Sequence, residues 1–415
     1  MRLSLFFLVA SAINFACAHS HIDDATDCKD GPALESRNKN SKGNTAALFK
    51  VPPGESNARV RIIDSTSRIT GIPTSMFFTP NSDIKGFTHL PTIPCWVFLI
   101  EHSSGKKVSF DLGIRKDWRN LSSQVTTQLD GFGFDIEIEK DVFEILANEG
   151  IAGEEINSII WSHMHWDHVG DPSRFPPSTE LVVGPGFKKA FVPGAPANME
   201  SPILESDYKG RELREIDFDQ DIGLKAGQLK AFDFFGDGSF YLLDTPGHTV
   251  AHMAGLLRTT TNPDTFIMMG GDLCHHGGEL RPSPYRPLPS ELNPHPRANM
   301  RSRRCPGGVL EDLQRNRGRT KNRAFFDVAM GADIPEAQRT IHKTQKADAS
   351  DDIFFIFAHD DNVMGVIDTF PKEANNWKRK GWGDQARWGF ALPYVTTHVS
   401  SESMTRCWCT EMGIR

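Results

Sequence analysis

Residues 163–168 read His-Met-His-Trp-Asp-His, so four side chains able to bind a metal fall within six positions. Zinc takes neutral imidazoles and carboxylates, and a catalytic zinc site keeps one position for water. A lone histidine is more often a hydrogen-bonded structural residue than a ligand. Three histidines and an aspartate at this density, directly after Ser158-Ile159-Ile160-Trp161, are hard to place on an ordinary surface. Further donors recur downstream in Asp244-Thr245-Pro246-Gly247-His248, Gly270-Gly271-Asp272 and Ala358-His359-Asp360, each after an apolar stretch.

These residues resemble the metallo-β-lactamase superfamily, whose H-x-H-x-D-H, T-P-G-H-T, G-D and late-His motifs occur here in order, over roughly Thr92 to Trp382. The resemblance implies an α/β fold, the αββα sandwich, with a di-zinc site at the sheet ends. It implies that His163, His165 and His248 hold one Zn2+ and that Asp167, His168 and His359 hold the other, with Asp272 bridging. Two close cations would lower the pKa of the water between them from about 15.7 toward 7, and Asp167 would orient that water and relay its proton. Asp111 resembles the family's carboxylate behind the metal-binding loop, and His275 stands where substrate could be met; His252 reads as a buried, hydrogen-bonded histidine, and His276 as a second candidate to face substrate.

Details of the set separate family branches. Glu in place of His165 would mark a redox di-iron member, and Cys in place of Asp272 a cysteine-ligand lactamase; neither occurs. The pattern is closer to quorum-signal lactonases, glyoxalase-type thioesterases and fungal detoxifying hydrolases. Cys95-Trp-Val-Phe-Leu-Ile-Glu101 and Phe110-Asp-Leu-Gly-Ile-Arg-Lys-Asp-Trp118 look like fungal lactonase-like members. One departure is His275, where bacterial lactonases carry Tyr. The activity implied is hydrolysis of a small lactone or lactam, cyclic carbamates included, in detoxification or catabolism. A thioesterase is the alternative within the fold, and a non-catalytic zinc-binding protein the alternative outside enzymology.

Rigid elements must aim these donors. Trp96–Ile100 and Lys107–Asp111, joined through His102-Ser103-Ser104-Gly105, read as a β-hairpin. Asp141 can cap a helix carrying Val142, Ile145 and Leu146, with Gly150 as its stop. Strands are expected at Ser158–Trp161, Leu181–Val183, Phe240–Leu243, Phe266–Met269 and Ile353–Phe357, several ending just before a metal-type residue.

The 415 residues suffice for one large domain with insertions. A net charge of -7 offers no general attraction to nucleic acid, so the expected partner is a small-molecule substrate. Arg2, the apolar run Leu3–Val9 and Ala16-Cys17-Ala18 match a secretory signal peptide over 1–18, predicting a secreted protein with no stable membrane anchor after cleavage. Residues 19–60 are expected to form a disordered leader, 61–385 the catalytic domain and 386–415 a tail. Cleavage would leave Cys28, Cys95, Cys274, Cys305, Cys407 and Cys409, an even number in a compartment that permits disulfides. Asn120-Leu121-Ser122 is an N-glycosylation pattern. Between Arg281 and Arg323, eleven Lys and Arg face three Asp and Glu amid recurrent prolines, predicting an irregular basic insertion, a solvated loop or lid.

Overall fold

The computed structural model describes residues 49–394, apart from 80–83, 85, 221–222, 293–304 and 392–393. The first of two six-stranded sheets runs, in spatial order, β1 (Arg59–Asp64), β2 (Trp96–Glu101), β3 (Lys107–Phe110), β4 (Ile156–Ile160), β5 (Glu180–Val183) and β6 (Leu213–Glu215). Its first three strands are antiparallel neighbours, and β3 to β6 are parallel. The second runs β7 (Lys225–Ala226), β8 (Leu229–Asp233), β9 (Phe240–Asp244), β10 (Met253–Thr260), β11 (Thr265–Met269) and β12 (Ile353–Ile356). Only its β11–β12 pair is parallel.

The alternation of side chains along each strand builds the layers. Trp96, Phe98 and Ile100 of β2 face Phe240, Leu242, Ile267 and Met269 of the other sheet in the central core. Val97 and Leu99 point the opposite way, onto α1 (Ser123–Phe132) and α2 (Val142–Asn148) through Val125, Leu129, Val142 and Leu146. Because both faces of β2 are covered, it reads as a continuous apolar run. α3 (Gly308–Asn316) lies within the basic insertion. On the far side, α4 (Ile334–Asp348) places Ala337, Ile341 and Ala347 against Tyr241, Leu243, Met268 and Phe355. This is the αββα sandwich expected. The hairpin and the Asp141-capped helix are present, with a reciprocal Asp141–Glu144 capping box.

The packed chain extends past the expected 61–385 at both ends. Phe49 is buried against β7, β8 and β9, and Arg59 opens β1, so residues 49–60 are folded rather than leader. Trp388, Phe390 and Tyr394 of the expected tail lie in a third cluster with Phe78, Phe87 and Phe326. The signal segment, residues 19–48, Cys28, Cys407, Cys409 and residues 395–415 lie outside the described residues, as does the side chain of Cys305. Cys95 and Cys274 are buried free thiols, which removes them from any disulfide scheme.

The insertion also differs from an irregular excursion. Its described parts contain α3 and a short pairing of Glu291–Leu292 with Cys305–Pro306, and they bury Leu288, Leu292, Leu310 and Leu313. Several of its described arginines are engaged: Arg319 donates to Ala324 O and Asp327, Arg286 to Ala349 O, and Arg317 to Phe325 O. At its start Arg281, 4% exposed, donates from Nε and Nη2 to Asp348 at 3.0 and 2.6 Å and from Nη1 to Arg387 O at 2.6 Å. That fork ties the insertion, α4 and the final turns together. Arg281→Ala leaves buried Asp348 with Arg387 and Arg286 nearby but without its bidentate partner, and we expect it to cost about 3–5 kcal/mol of stability. Chemical denaturation measures this; an unchanged midpoint would show that Arg387 and Arg286 suffice to balance Asp348.

Candidate metal centre

The ends of β3, β4, β9, β11 and β12 deliver the donors. β3 and β4 are parallel with Phe110 opposite Ile160, so Asp111 and Ser162 emerge side by side. Met269 lies opposite Ile356 in the parallel β11–β12 pair, which brings the loops of Asp272 and His359 together. Two glycines permit the closeness. A Cβ on Gly271, at φ +51, would meet His252 Nε2 and Ser162 Cβ at 2.9 Å, and one on Gly247, at φ +126, would strike the start of α4 at Ala337 N, 2.1 Å away.

All seven predicted ligands are brought together. The nitrogens of His163, His165 and His248 gather with Asp272 within 4.8 Å, and those of His168 and His359 gather with Asp272 in the same way. The two carboxylate oxygens divide the work. Asp272 Oδ1 lies 3.1 Å from His168 Nε2 and 3.2 Å from His359 Nε2, while Oδ2 lies 3.5 Å from His248 Nε2 and 3.7 Å from His163 Nε2. Asp167 sits at the edge of the second group, with Oδ2 3.3 Å from His359 Nε2 and Oδ1 3.9 Å from His168 Nε2.

The hydrogen bonds behind the rings fix which nitrogen faces inward. His359 Nδ1 donates to Pro94 O at 2.9 Å, leaving Nε2 for the centre. His168 Nδ1 donates to Asp111 Oδ2 at 2.9 Å, and Ser162 Oγ donates to the same oxygen at 2.8 Å while accepting from His163 Nδ1 at 3.0 Å. Asp111 is buried, at φ +62, and its other oxygen accepts Ser162 N at 2.7 Å. His252 is buried and structural as expected: Nδ1 donates to Thr245 O and Nε2 accepts Asp272 N, both at 3.0 Å, so it sets the backbone of Asp272.

With these outer partners in place, His163 Nε2, His168 Nε2 and Asp272 Oδ1 are buried without hydrogen-bond partners. Unpaired buried polar groups cost about 1–3 kcal/mol each. Inward lone pairs on several imidazoles around a shared carboxylate suit divalent cations of zinc type, so the residues fit the metals that the sequence implies. The electrostatics agree. Burial alone would depress His168 and His359, but Asp272, with Asp111 and Asp167 beside His168, outweighs it and raises both well above the usual imidazole range. Burial would raise Asp272, yet His168 and His359 hold it well below the carboxylate range. His163 and His248 are pushed well below theirs by burial and by neighbouring imidazoles, and His165 falls to about 4 by burial. The pocket concentrates negative potential where cations belong.

His275 stands in the centre, its Nε2 3.4 Å from Asp272 Oδ2, whereas His276 turns away: its Nδ1 accepts Gly278 N, and its ring packs on Phe78, Phe87 and Phe390. Sequence reasoning missed three residues. Ser162 ties two ligand rings to Asp111, Cys95 places Sγ 3.9 Å from His359 Nδ1, and Glu279 holds the backbone of His275. Ser162 borders the histidine motif and Glu279 lies four residues after His275, whereas Cys95 is adjacent to His359 only in space.

The match to the metallo-beta-lactamase superfamily model covers residues 91–259, from the β2 region through His248. A gamma-lactamase of Fusarium pseudograminearum is 43% identical over 365 residues, which cover 86% of each chain. The chain belongs to the metallo-beta-lactamase superfamily. A metallo-hydrolase of Annulohypoxylon moriforme is 41% identical, covering 83% of this chain and 89% of its own. A solved N-acyl homoserine lactone hydrolase, bearing N-hexanoyl-L-homoserine at its catalytic metal centre, shares the fold at TM-score 0.51 and 16% identity, over 77% of this chain and all of its own. As a superfamily member with such relatives, the chain is a metal-dependent hydrolase. Asp272 and His359 fall beyond the matched span, so their place in the centre rests on geometry.

Asp111→Asn tests the outer bonds. An amide cannot accept from His168 Nδ1 and Ser162 N–H in the same arrangement, so we expect metal affinity to fall about 10–100-fold. Competition against a graded series of chelators measures this; parent-like affinity would show that His168 needs no orienting carboxylate.

Proposed function

We propose that this protein opens the ring of a small lactone or lactam, cyclic carbamates included, at a centre holding two zinc ions, as a detoxifying or catabolic step outside the cell. The observation that carries the two-metal part is the division of Asp272, one oxygen toward His168 and His359 and the other toward His163 and His248. A carboxylate placed so is suited to hold two cations at a fixed separation. When bound, the metals supply Lewis acidity and a water acidic enough to attack at neutral pH.

The chain's own residues orient and shuttle. Asp167, at the open edge of the second group and half shared with His359, is placed to accept a hydrogen bond from the attacking water and to pass its proton to the departing oxygen or nitrogen. His252 and Asp111 keep Asp272 and His168 in register while charge moves. The ring class is supported by likeness to proteins named gamma-lactamase and metallo-hydrolase across most of the chain. Export is supported by the sequence of residues 1–18 alone.

The test uses the full-length protein loaded with zinc and a matched panel of lactones, lactams, cyclic carbamates and thioesters. We expect about two zinc ions per chain by elemental analysis and turnover of a cyclic ester or amide above that of any thioester. Asp272→Ala should lower that turnover by about 10³-fold or more through lost metal or lost geometry. A protein holding two zinc ions but inert toward every ring would overturn the ring-opening reading, and one zinc or none would overturn the two-metal reading.

A further inference from the structure

At the strand ends away from the metal centre, the turn between β2 and β3 meets the turn between β8 and β9. His102 begins the first turn, which Gly105, at φ +88, closes by donating its N–H to His102 O at 2.9 Å. The bend folds the His102 ring over Ser104, two residues on. Ser104 donates its N–H to His102 Nδ1 at 3.2 Å and holds its Oγ 2.8 Å from the same nitrogen. On the other side of the ring, His102 Nε2 lies 2.8 Å from Asp237 Oδ2. Asp111 follows β3 and His248 follows β9 at the opposite ends of those strands, so this trio is separate from the metal ligands.

The backbone settles the tautomer. An N–H donated to Nδ1 requires a lone pair there, so the ring proton sits on Nε2 and points to Asp237. Asp237 Oδ1 accepts Ser239 N at 3.0 Å and Ser239 Oγ at 2.6 Å. Burial would raise Asp237, but the bonds from Ser239 and His102 hold it at about 2, so it is ionised at neutral pH. The imidazole stacks on Phe235 with centroids 4.2 Å apart and planes 15° from parallel, which fixes its rotation. A tie across the turn would be complete with the backbone N–H alone; the hydroxyl adds a nucleophile. A fixed imidazole with a carboxylate behind it and a hydroxyl in front is the arrangement that activates serine. Ser104 is exposed, and half-buried Phe234 and Phe235 offer an apolar surface beside the imidazole.

We propose that Ser104, His102 and Asp237 form a second catalytic site, independent of metal, in which Ser104 takes the acyl group of small activated esters and passes it to water. This goes beyond the ring-opening reading and does not depend on it. Ser104 Oγ adds to the ester carbonyl carbon as its proton passes to His102 Nδ1, and Asp237 balances the imidazolium. When the carbonyl re-forms, the bond to the alkoxy or aryloxy oxygen breaks, and that oxygen takes the proton from Nδ1. Water, losing a proton to the same nitrogen, then adds to the acyl carbon. Breaking the bond to Oγ returns the proton to Ser104 and frees a carboxylic acid. The turn is exposed, so the transient oxyanion is met by solvent, which restricts the site to esters with good leaving groups, such as aryl acetates.

The experiment treats the full zinc-loaded chain with para-nitrophenyl acetate, quenches it in acid and maps acetyl groups by peptide mass spectrometry. The adduct is read because the metal centre can also release nitrophenol. We expect acetyl to form on Ser104 about 10²-fold or more faster than on Ser103, its exposed neighbour. His102→Gln should slow this about 10²-fold, and Asp237→Asn about tenfold or more. Ser103→Ala should acetylate at Ser104 like the parent, and the rate should not change as zinc occupancy is raised from partial to full. An acetyl group absent from Ser104, shared equally between the two serines, or formed at the parent's rate in His102→Gln would overturn the proposal. A rate proportional to bound zinc would overturn it as well, since the metal centre would then supply the reactivity. Should His102→Gln fail to fold, Asp237→Asn decides, and the parent's rate in that variant sinks the idea.

Discussion

A carboxylate can be buried only where positive charge or donors meet both of its oxygens, and at Asp272 the structure meets them with imidazoles from two different directions. Those imidazoles have their outer nitrogens committed elsewhere, to Pro94 O, Asp111 and Ser162. Without cations several inward atoms of the centre have no hydrogen-bond partner, a cost of about 1–3 kcal/mol for each orphaned atom. The scaffold must hold the ligands against that cost before metal arrives. Metal binding then returns it as affinity, so folding and metal loading are coupled through one side chain.

Rigidity comes from the sheets. Each donor loop leaves the end of a strand buried on both faces, and parallel pairing fixes the relative height of neighbouring loops. Asp111 and Ala251 adopt left-handed backbone conformations, φ +62 and +69, uncommon for non-glycine residues and located beside the ligands. At Asp111 that conformation turns the carboxylate back to accept Ser162 N, so local strain and ligand orientation are one arrangement. His252 does the same for Asp272 by accepting its backbone N–H.

The donor cluster was legible because metal chemistry demands particular residue types and four of them fall within six positions. The strands around them were legible because double-sided burial leaves plain apolar runs. β10 was not read, since Gly255 and Arg258 interrupt its pattern. Gly255 is small because Phe240 and Phe110 rings press on it, and Arg258 is buried because Gly238 O and Pro52 O take its donors. α4 escaped because its inward face is Ala337, Thr340, Ile341 and Thr344, a weak hydrophobic stripe. The setting of His275, an unpaired ring between two ligand groups, exists only in space and leaves no trace in spacing.

The basic insertion shows how composition misleads. Proline and arginine in alternation resemble a solvated loop, but guanidinium groups also satisfy several carbonyls at once, which lets a segment with little regular structure pack. Arg281 serves Asp348 and Arg387 O, and Arg319 serves Ala324 O and Asp327. These cations are occupied by the fold and so are poor candidates to hold an anionic product. The same segment begins at Arg281, two residues after Glu279, which pins the peptide of His275. The insertion therefore bears on the centre through backbone position, by fixing the chain just after Glu279 through Arg281.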